Sequence, residues 1–292
     1  MFSDTHFHFK TMDDSIEAGA ETLKRYAAMD PYFAMDIGTH SDDLMDRLGH
    51  LESCISAMDS DSASKVEKFF RFSAGIWPSV PEIKSRLEGI RVLEKQIESF
   101  SNAGGRFGTV AAIGECGLDH HWNPSNPDAR DAGDFSDSVY RGERELFLMQ
   151  LELAERMDLP VVVHSRDAFE DTLSCLDEAG WHRGIIHCYS YGINEARKFL
   201  DRGWYIAFGG STTYAGKSRI EEMHALLNYV PDDRILLETD APYLSPVPLR
   251  GKPNSPLNIS HTYAFIAGHR GVEVERLCEC VDSNVRTLFR LG

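Results

Sequence analysis

Two histidines lie two positions apart near the N-terminus, in the segment DTHFHF (residues 4–9). Side chains alternate along a β-strand, so His6 and His8 would point to the same face of such a strand. Two imidazoles on one face are a plausible pair of ligands for a metal ion. The spacing also arises by chance in a chain with 12 histidines among 292 residues. The pair therefore predicts a metal site only if further ligands join it.

Further ligands of this kind stand at the ends of later apolar segments. They are Glu115, His164, His187 and Asp240, in GTVAAIGE, LPVVVHS, GIIHCYS and DRILLETDAP. Each of them taken alone is commonly a structural residue, but together they would offer four imidazoles and two carboxylates, enough for two metal ions. Such a mixed nitrogen and oxygen set suits zinc, manganese or another borderline divalent ion, and magnesium less clearly.

The segment that carries the first histidines also contains an acidic residue. Asp4 lies two positions before His6 and is predicted to sit on the same face but deeper in the protein. It is well placed to accept a hydrogen bond from an imidazole N–H and so to orient a ligand. A buried aspartate satisfied by backbone donors is the alternative, and the sequence leaves both open.

Eight short apolar segments, separated by helix-like stretches, are predicted to be the strands that position these residues. They are residues 2–9, 32–38, 69–76, 108–115, 159–165, 184–190, 203–210 and 233–242. Nearly continuous Val, Ile, Phe and Ala is typical of parallel strands buried on both faces. Eight βα units in about 250 residues predict an α/β fold of the (β/α)8 TIM-barrel type, with a doubly wound open sheet as the alternative.

The barrel prediction explains why the ligands would meet, because the carboxyl ends of barrel strands converge on one face. The clearest crossover helix is predicted over 143–158, and residues 258–292 are predicted to form two helices that close the barrel. No Gly-, Ser- or Pro-rich linker divides the chain, which predicts one domain over 1–292. A long loop is predicted over 119–144, on the active-site side, because this stretch is dense in Asn, Asp, Pro and Ser.

Composition restricts the partners and the compartment. The chain carries 46 acidic and 30 basic residues, a net charge of −16, so its surface as a whole repels polyanions. A phosphate-bearing substrate must then be held by local cations. The six cysteines form no Cys-x-x-Cys pair, and Cys278 and Cys280 would face apart on a helix. With no secretion signal and no stretch near ~18 apolar residues, we expect a cytoplasmic protein without a membrane span or an obligatory protein partner.

Several longer strings carry a resemblance to a known family. AIGECGLD (112–119), LPVVVHSRDA (159–168), HCYS (187–190), ILLETDAPYLSPVP (235–248) and RGKPNSP (250–256) follow DTHFHF in order. Together they resemble the signature set of the TatD family of metal-dependent deoxyribonucleases, over almost the whole chain. The departures from the family pattern are Tyr189-Ser190-Tyr191 in place of Phe-Ser-Gly, Leu249 in place of a histidine, and the length of the 119–144 loop.

The resemblance implies a barrel with two divalent metal ions. His6, His8, Glu115 and Asp240 would hold one ion, and Glu115, His164 and His187 the other, with Glu115 bridging. It also implies hydrolysis of phosphodiesters, often from the 3′ end of single-stranded DNA. The departures concern the substrate cleft and leave the ligands intact.

The residues suggest roles in such a reaction. Asp240 and Glu115 are the predicted catalytic residues, with Asp240 as ligand and acceptor of the proton from water. Arg250, Arg166 and Lys252 are the predicted contacts to substrate phosphates, which arginine binds with a bidentate fork.

Two other functions remain open at this stage. A small-molecule amidohydrolase, lactonase or esterase would use the same binuclear site to polarise a carbonyl group. Many such enzymes, by resemblance, bridge their metals with a carbamylated lysine, whereas the corresponding position here is Glu115. A non-catalytic binding protein on a retained barrel would be expected to lose ligands, and none is missing.

Overall fold

Eight parallel strands pair in chain order in the computed structural model, which describes residues 1–103, 105–127 and 130–291. They are β1 (Ser3–Phe7), β2 (Phe33–Asp36), β3 (Phe70–Ala74), β4 (Ala112–Asp119), β5 (Val161–Arg166), β6 (Gly184–Ile186), β7 (Tyr205–Phe208) and β8 (Ile235–Leu237). Beyond β8, Ala241 forms a parallel bridge with Phe7, and its carbonyl accepts a hydrogen bond from the His8 N–H. The two edges of the sheet therefore meet, which confirms the predicted barrel and excludes the open sheet.

Helices connect the strands and surround the barrel. They are α1 (Phe9–Met12), α2 (Ile16–Ala28), α3 (Leu44–Ser56), α4 (Ser60–Phe69), α5 (Val80–Ala103), α6 (Asp137–Met157), α7 (Phe169–Ala179), α8 (Ile193–Leu200), α9 (Ile220–Tyr229), α10 (Ile259–Arg270) and α11 (Val274–Phe289). The last two confirm the pair of helices predicted for 258–292, of which residue 292 lies outside the described residues. No described helix combines the length and the hydropathy that a membrane crossing would need.

The strands are short because only their central residues need to be buried on both faces. Val161, Val162 and Val163 of β5 and the Ile-Leu-Leu of β8 are at most 1% exposed. Each strand therefore contributes a few apolar side chains to the core, as in parallel sheets covered by helices. The polar residues that follow these apolar triplets lie at the carboxyl end of the barrel.

The loop predicted over 119–144 is shorter in the structure. Asp119 is the last residue of β4 and pairs with Arg166 of β5, and α6 already begins at Asp137. The helix starts early because Val139 packs into the core and buried Glu143 accepts a hydrogen bond from the Asp119 N–H (2.7 Å). The prediction from polar composition was therefore wrong at both ends of this loop. Residues 128 and 129 of the loop lie outside the described residues.

Candidate metal centre

The six predicted ligands come together around one carboxylate at the carboxyl end of the barrel. Oε2 of Glu115 lies 3.3 Å from Nε2 of His6 and 3.8 Å from Nε2 of His8. Its other oxygen, Oε1, lies 3.0 Å from Nδ1 of His164 and 3.2 Å from Nε2 of His187. The Glu115 carboxylate thus separates the four histidines into two pairs, one pair on each oxygen.

The sixth residue joins one of these pairs. Oδ1 of Asp240 lies 3.6 Å from Nε2 of His6 and 3.6 Å from Nε2 of His8. Asp240 is held at this place by its backbone, because its N–H donates to the His6 carbonyl where β1 and the end of β8 meet. Closure of the barrel therefore positions Asp240 against the first histidine pair.

Irregular pairing in two strands aims the ligands into the cavity. Gly114 and Cys116 of β4 pair with the successive residues Val162 and Val163 of β5, so Glu115 is an extra residue in the ladder. β1 has a similar register shift between Asp4 and Phe7. An extra residue of this kind re-aims a side chain and is common beside active sites. The bulge in β4 explains why the Glu115 side chain points into the cavity although the strand continues beyond it.

Close approach of β4 and β5 depends on a glycine. A Cβ on Gly117, whose φ is +150°, would lie 1.8 Å from the carbonyl oxygen of His164. Any other residue would push the strands apart, both through this clash and through the strained backbone. Gly117 therefore keeps the strand of Glu115 next to the strand of His164.

Charge within the cluster favours an ionised bridge. Burial alone would raise the pKa of Glu115, but the charge of His187 and the close imidazoles of His164, His187 and His6 hold it well below its usual range. For His6, burial and the neighbouring His187 lower the pKa. A carboxylate surrounded by imidazole nitrogens is a donor set that divalent cations of intermediate softness prefer.

Unpaired buried atoms show that these residues fit a metal ion. Both ring nitrogens of His6 are buried without a hydrogen-bond partner among the described residues, as are Nδ1 of His187 and Oε2 of Glu238. Buried polar atoms normally find partners, because leaving one unpaired costs about 1–3 kcal/mol. Within the described chain, two groups of possible ligands share the bridging residue: His6, His8 and Glu115, and Glu115, His164 and His187. An ion held between the imidazoles and Glu115 would use Nε2 of His6.

Asp4 does not orient an imidazole, in contrast to the first of its two predicted roles. Its carboxylate accepts hydrogen bonds from the Thr239 N–H (2.9 Å), the Thr239 hydroxyl (2.7 Å) and the backbone N–H of His6 (3.2 Å). Complete burial raises the pKa of Asp4 to about 7, although these hydrogen bonds oppose the rise. Asp4 therefore ties the start of the site in β1 to the chain beyond β8.

Two carboxylates that the sequence did not single out contact the histidines instead. Oδ2 of Asp119 lies 3.0 Å from Nε2 of His164, and Oε1 of Glu238 lies 3.5 Å from Nδ1 of His187. Glu238 is fully buried and also accepts the Cys188 N–H (2.6 Å). Carboxylates in this position fix the tautomer of a ligating histidine. A signal was present, since Asp119 and Glu238 lie on the same strand or loop as Glu115 and Asp240.

The predicted phosphate contacts lie outside this cluster. The guanidinium of Arg250 lies over the ring of Tyr214 (4.3 Å), and that of Arg166 over the ring of Trp122 (5.5 Å). Lys252 is exposed, in the loop that follows β8. Among the described residues, none of these three cations has a hydrogen bond or ion pair with the six ligands. Their contact with a substrate remains a proposal.

Comparisons with known proteins identify the family of the chain. The chain matches the family model described as "TatD related DNase" over residues 3–290. An uncharacterized metal-dependent hydrolase of Escherichia coli, YcfH, is 30% identical over 292 residues, which cover 99% of this chain and 95% of the relative. A Klebsiella pneumoniae protein named "3′-5′ ssDNA/RNA exonuclease TatD" is 37% identical over 188 residues, or 62% of this chain and 65% of the relative.

Solved structures share the architecture. The crystal structure of YjjV, a TatD homologue from Escherichia coli, superimposes with a TM-score of 0.78 at 24% identity, covering 100% of this chain and 98% of the other. A TatD family hydrolase from Entamoeba histolytica gives a TM-score of 0.73 at 18% identity, over 98% and 97% of the two chains. At these identities the structures establish the fold alone. Together with the full-length match to the family model, they show that the chain belongs to the TatD family of metal-dependent hydrolases.

Proposed function

We propose that the protein is a divalent-metal-dependent nuclease that hydrolyses phosphodiester bonds of single-stranded DNA or a related nucleic acid, from the 3′ end. The observation that carries the proposal is the division of the Glu115 carboxylate between two histidine pairs. Hydrolysis of phosphodiesters commonly uses two metal ions that share a ligand. One carboxylate with both oxygens in use is suited to bridge such a pair.

The residues divide between two ion positions. His6, His8 and Asp240 would hold one ion with Glu115, and His164 and His187 would hold the other with the same Glu115. The ions could be zinc, manganese or magnesium, although the four imidazoles favour zinc or manganese over magnesium. When bound, such ions lower the pKa of water and offset the charge that develops on phosphorus.

Asp240 is the proposed acceptor of the proton that water loses. Its Oδ1 faces the first histidine pair, while no hydrogen bond within the described chain uses Oδ2. Burial would raise the pKa of Asp240, but the close imidazole of His8 and the charges of the nearby histidines hold it below its usual value. The carboxylate is thus ionised and able to take a proton. Both oxygens of Glu115 face histidine pairs, so its proposed role is to bridge the two ions rather than to accept the proton.

The proposed substrate rests on the relatives and on local charge. One relative carries single-stranded DNA and RNA in its name. A net charge of −16 gives no long-range attraction to such a polyanion, so the substrate must be held at the mouth of the barrel. Arg250, Arg166 and Lys252 are the proposed phosphate contacts, because all three are exposed in loops or strand ends on that face.

The test is a nuclease assay with end-blocked oligonucleotides. Metal-loaded protein is incubated with single-stranded DNA that is free, 3′-blocked or 5′-blocked, and in parallel with a panel of amides, lactones and carboxylic esters. We expect shortening of the free and 5′-blocked strands, none of the 3′-blocked strand, and no turnover of the panel. A Glu115→Gln variant should be inactive, whereas Glu145→Gln, on the outer surface of α6, should match the wild type. Turnover of an amide or lactone without DNA cleavage would overturn the proposal in favour of a small-molecule amidohydrolase.

A further inference from the structure

Two aromatic side chains border the ligand cluster at the mouth of the barrel. The ring of Tyr243, in the loop after β8, lies 5.8 Å from the ring of His8. The ring of Trp77, in the loop after β3, lies 6.0 Å from the ring of His164. Neither residue supplies a ligand atom, and the proposed chemistry uses neither of them. Both rings stand where a substrate would enter.

The two rings contact histidines that face different oxygens of the bridging carboxylate. Tyr243 contacts His8, which faces Oε2 of Glu115, and Trp77 contacts His164, which faces Oε1. A phosphodiester bound across Glu115 would therefore have one aromatic ring beside each histidine pair. The two nucleotides joined by that phosphodiester would extend toward these rings.

Tyr243 is exposed and yet firmly anchored. Its residue is 53% exposed, and two other exposed apolar residues, Leu244 and Val247, share its loop. The Tyr243 N–H donates to the Asp240 carbonyl (2.8 Å), and its carbonyl accepts from the side chain of Asn254 (2.8 Å), which is 2% exposed. A clustered apolar surface of this kind commonly marks a binding site. The anchoring means that little ordering is required when a ligand covers the ring.

Trp77 is held in a comparable way. Its backbone N–H donates to the Thr39 carbonyl (2.9 Å), in the loop after β2. The residue is partly exposed, and its ring meets His164 edge-to-face rather than by stacking. Edge-to-face contact leaves a ring face that a planar ligand can cover.

We propose that Tyr243 and Trp77 are stacking platforms for the two nucleobases that flank the scissile phosphate. The inference rests on the proposed nuclease function and adds residues that select the substrate. Every base has an aromatic face, so such platforms accept any sequence, and the proteins that bind single strands use them widely. Bases in a duplex are stacked and paired within the helix and are not free to cover either ring. Tyr243 and Trp77 therefore favour unpaired strands.

The test compares an ordinary single-stranded oligonucleotide with one whose two terminal residues at each end are abasic. We expect the wild type to prefer the ordinary strand in kcat/KM by at least about 5-fold, because stacking contributes about 5- to 160-fold per base. Tyr243→Ala and Trp77→Ala should each lose the share of this preference that its own ring contributes, chiefly through KM. Tyr243→Phe and Trp77→Phe keep an aromatic ring and should retain it. Tyr229→Ala, on the outer helix α9 and 40% exposed, is the matched control and should not change it.

The outcomes separate the inference from the function on which it rests. Equal cleavage of both strands by the wild type would overturn the stacking role and leave the nuclease proposal standing. Equal loss on both strands in the alanine variants would also overturn it, because the rings would then only pack against the histidines. No cleavage of either strand by metal-loaded wild type would overturn the proposed function, and the inference with it. Circular dichroism of each variant checks that the barrel is folded.

Discussion

Asp119 determines which nitrogen His164 offers to the cluster, and an Asp119→Asn variant tests this. Asp119 is buried, and although burial raises its pKa, the hydrogen bond and charge of His164 hold that pKa below its usual value. An ionised carboxylate only accepts hydrogen bonds, so Nε2 of His164 carries the proton. In the metal-bound protein Nδ1, which lies 3.0 Å from Glu115 Oε1, would then be unprotonated and able to ligate an ion. Asparagine can donate to Nε2 instead and move the proton to Nδ1.

The expected effect follows from the loss of this one contact. Removing the carboxylate partner of a ligating histidine costs about 10- to 100-fold in metal affinity or activity. That range corresponds to about 1.4–2.7 kcal/mol, similar to the ~1.5–3 kcal/mol of one hydrogen bond to a charged group. The assay is DNA hydrolysis as a function of added metal, which separates a weaker metal affinity from a lower maximal rate.

A second aspartate–histidine pair provides the control. Oδ2 of Asp167 lies 2.9 Å from Nδ1 of His121, but the Asp167 side chain is 64% exposed and His121 is outside the ligand cluster. Asp167→Asn should change the metal dependence less than twofold, because exposed pairs contribute little. Equal effects of the two substitutions, or a loss below threefold for Asp119→Asn, would refute the tautomer argument.

Three further predictions each concern one substitution. Asp240→Asn should lower kcat by at least ~100-fold, the low end of what a general base contributes, measured by steady-state DNA hydrolysis; a near-normal rate would place the base elsewhere. Arg47→Met should lower the free energy of unfolding by ~3–5 kcal/mol, because it removes the charged partner of buried Asp36 (2.8 Å) and the hydrogen bonds to Asp43 and the Ser73 carbonyl. Arg91→Met, in an exposed pair, should cost under ~1 kcal/mol, and urea unfolding of chelated protein compares the two. Arg250→Ala should weaken binding of a short single strand by ~1–3 kcal/mol in an Asp240→Asn background. A salt titration of binding in the Asp240→Asn background should give a logarithmic slope that corresponds to fewer than six neutralised phosphates, each of which contributes about 0.7 to the slope. A steeper slope would mean that the phosphate contacts lie elsewhere.

The barrel and its ligands could be predicted from the sequence because the pattern that indicates them lies within short segments. Val161–Val163 and the triplet before Glu238 are apolar throughout, and each is followed within a few residues by a histidine or an acid. Such a pattern marks both a buried strand and its polar end. The rule that barrel strands converge at their carboxyl ends then brings His6, Glu115 and His187 together without knowledge of any contact.

The features that sequence did not reveal depend on pairing between distant strands. The bulge at Glu115 exists only relative to the register of β5, and no residue within β4 alone indicates it. Asp119 was assigned to the start of a loop because polar residues follow it, although it pairs with Arg166 inside the sheet. Asp4 accepts a backbone hydrogen bond because the irregular part of β1 brings the His6 N–H toward its carboxylate. In each case the position of the residue depends on a contact with another strand or on an altered register within its own strand.

Metal stoichiometry measured through activity tests the central claim most directly. The protein is stripped with chelator, its residual metal is quantified, and divalent ion is added back in fractions of an equivalent while hydrolysis of single-stranded DNA is followed. Two ions that share Glu115 predict no activity in the stripped protein and a rise that ends at two equivalents per chain. Full activity without metal, or a break at one equivalent, would contradict the binuclear site.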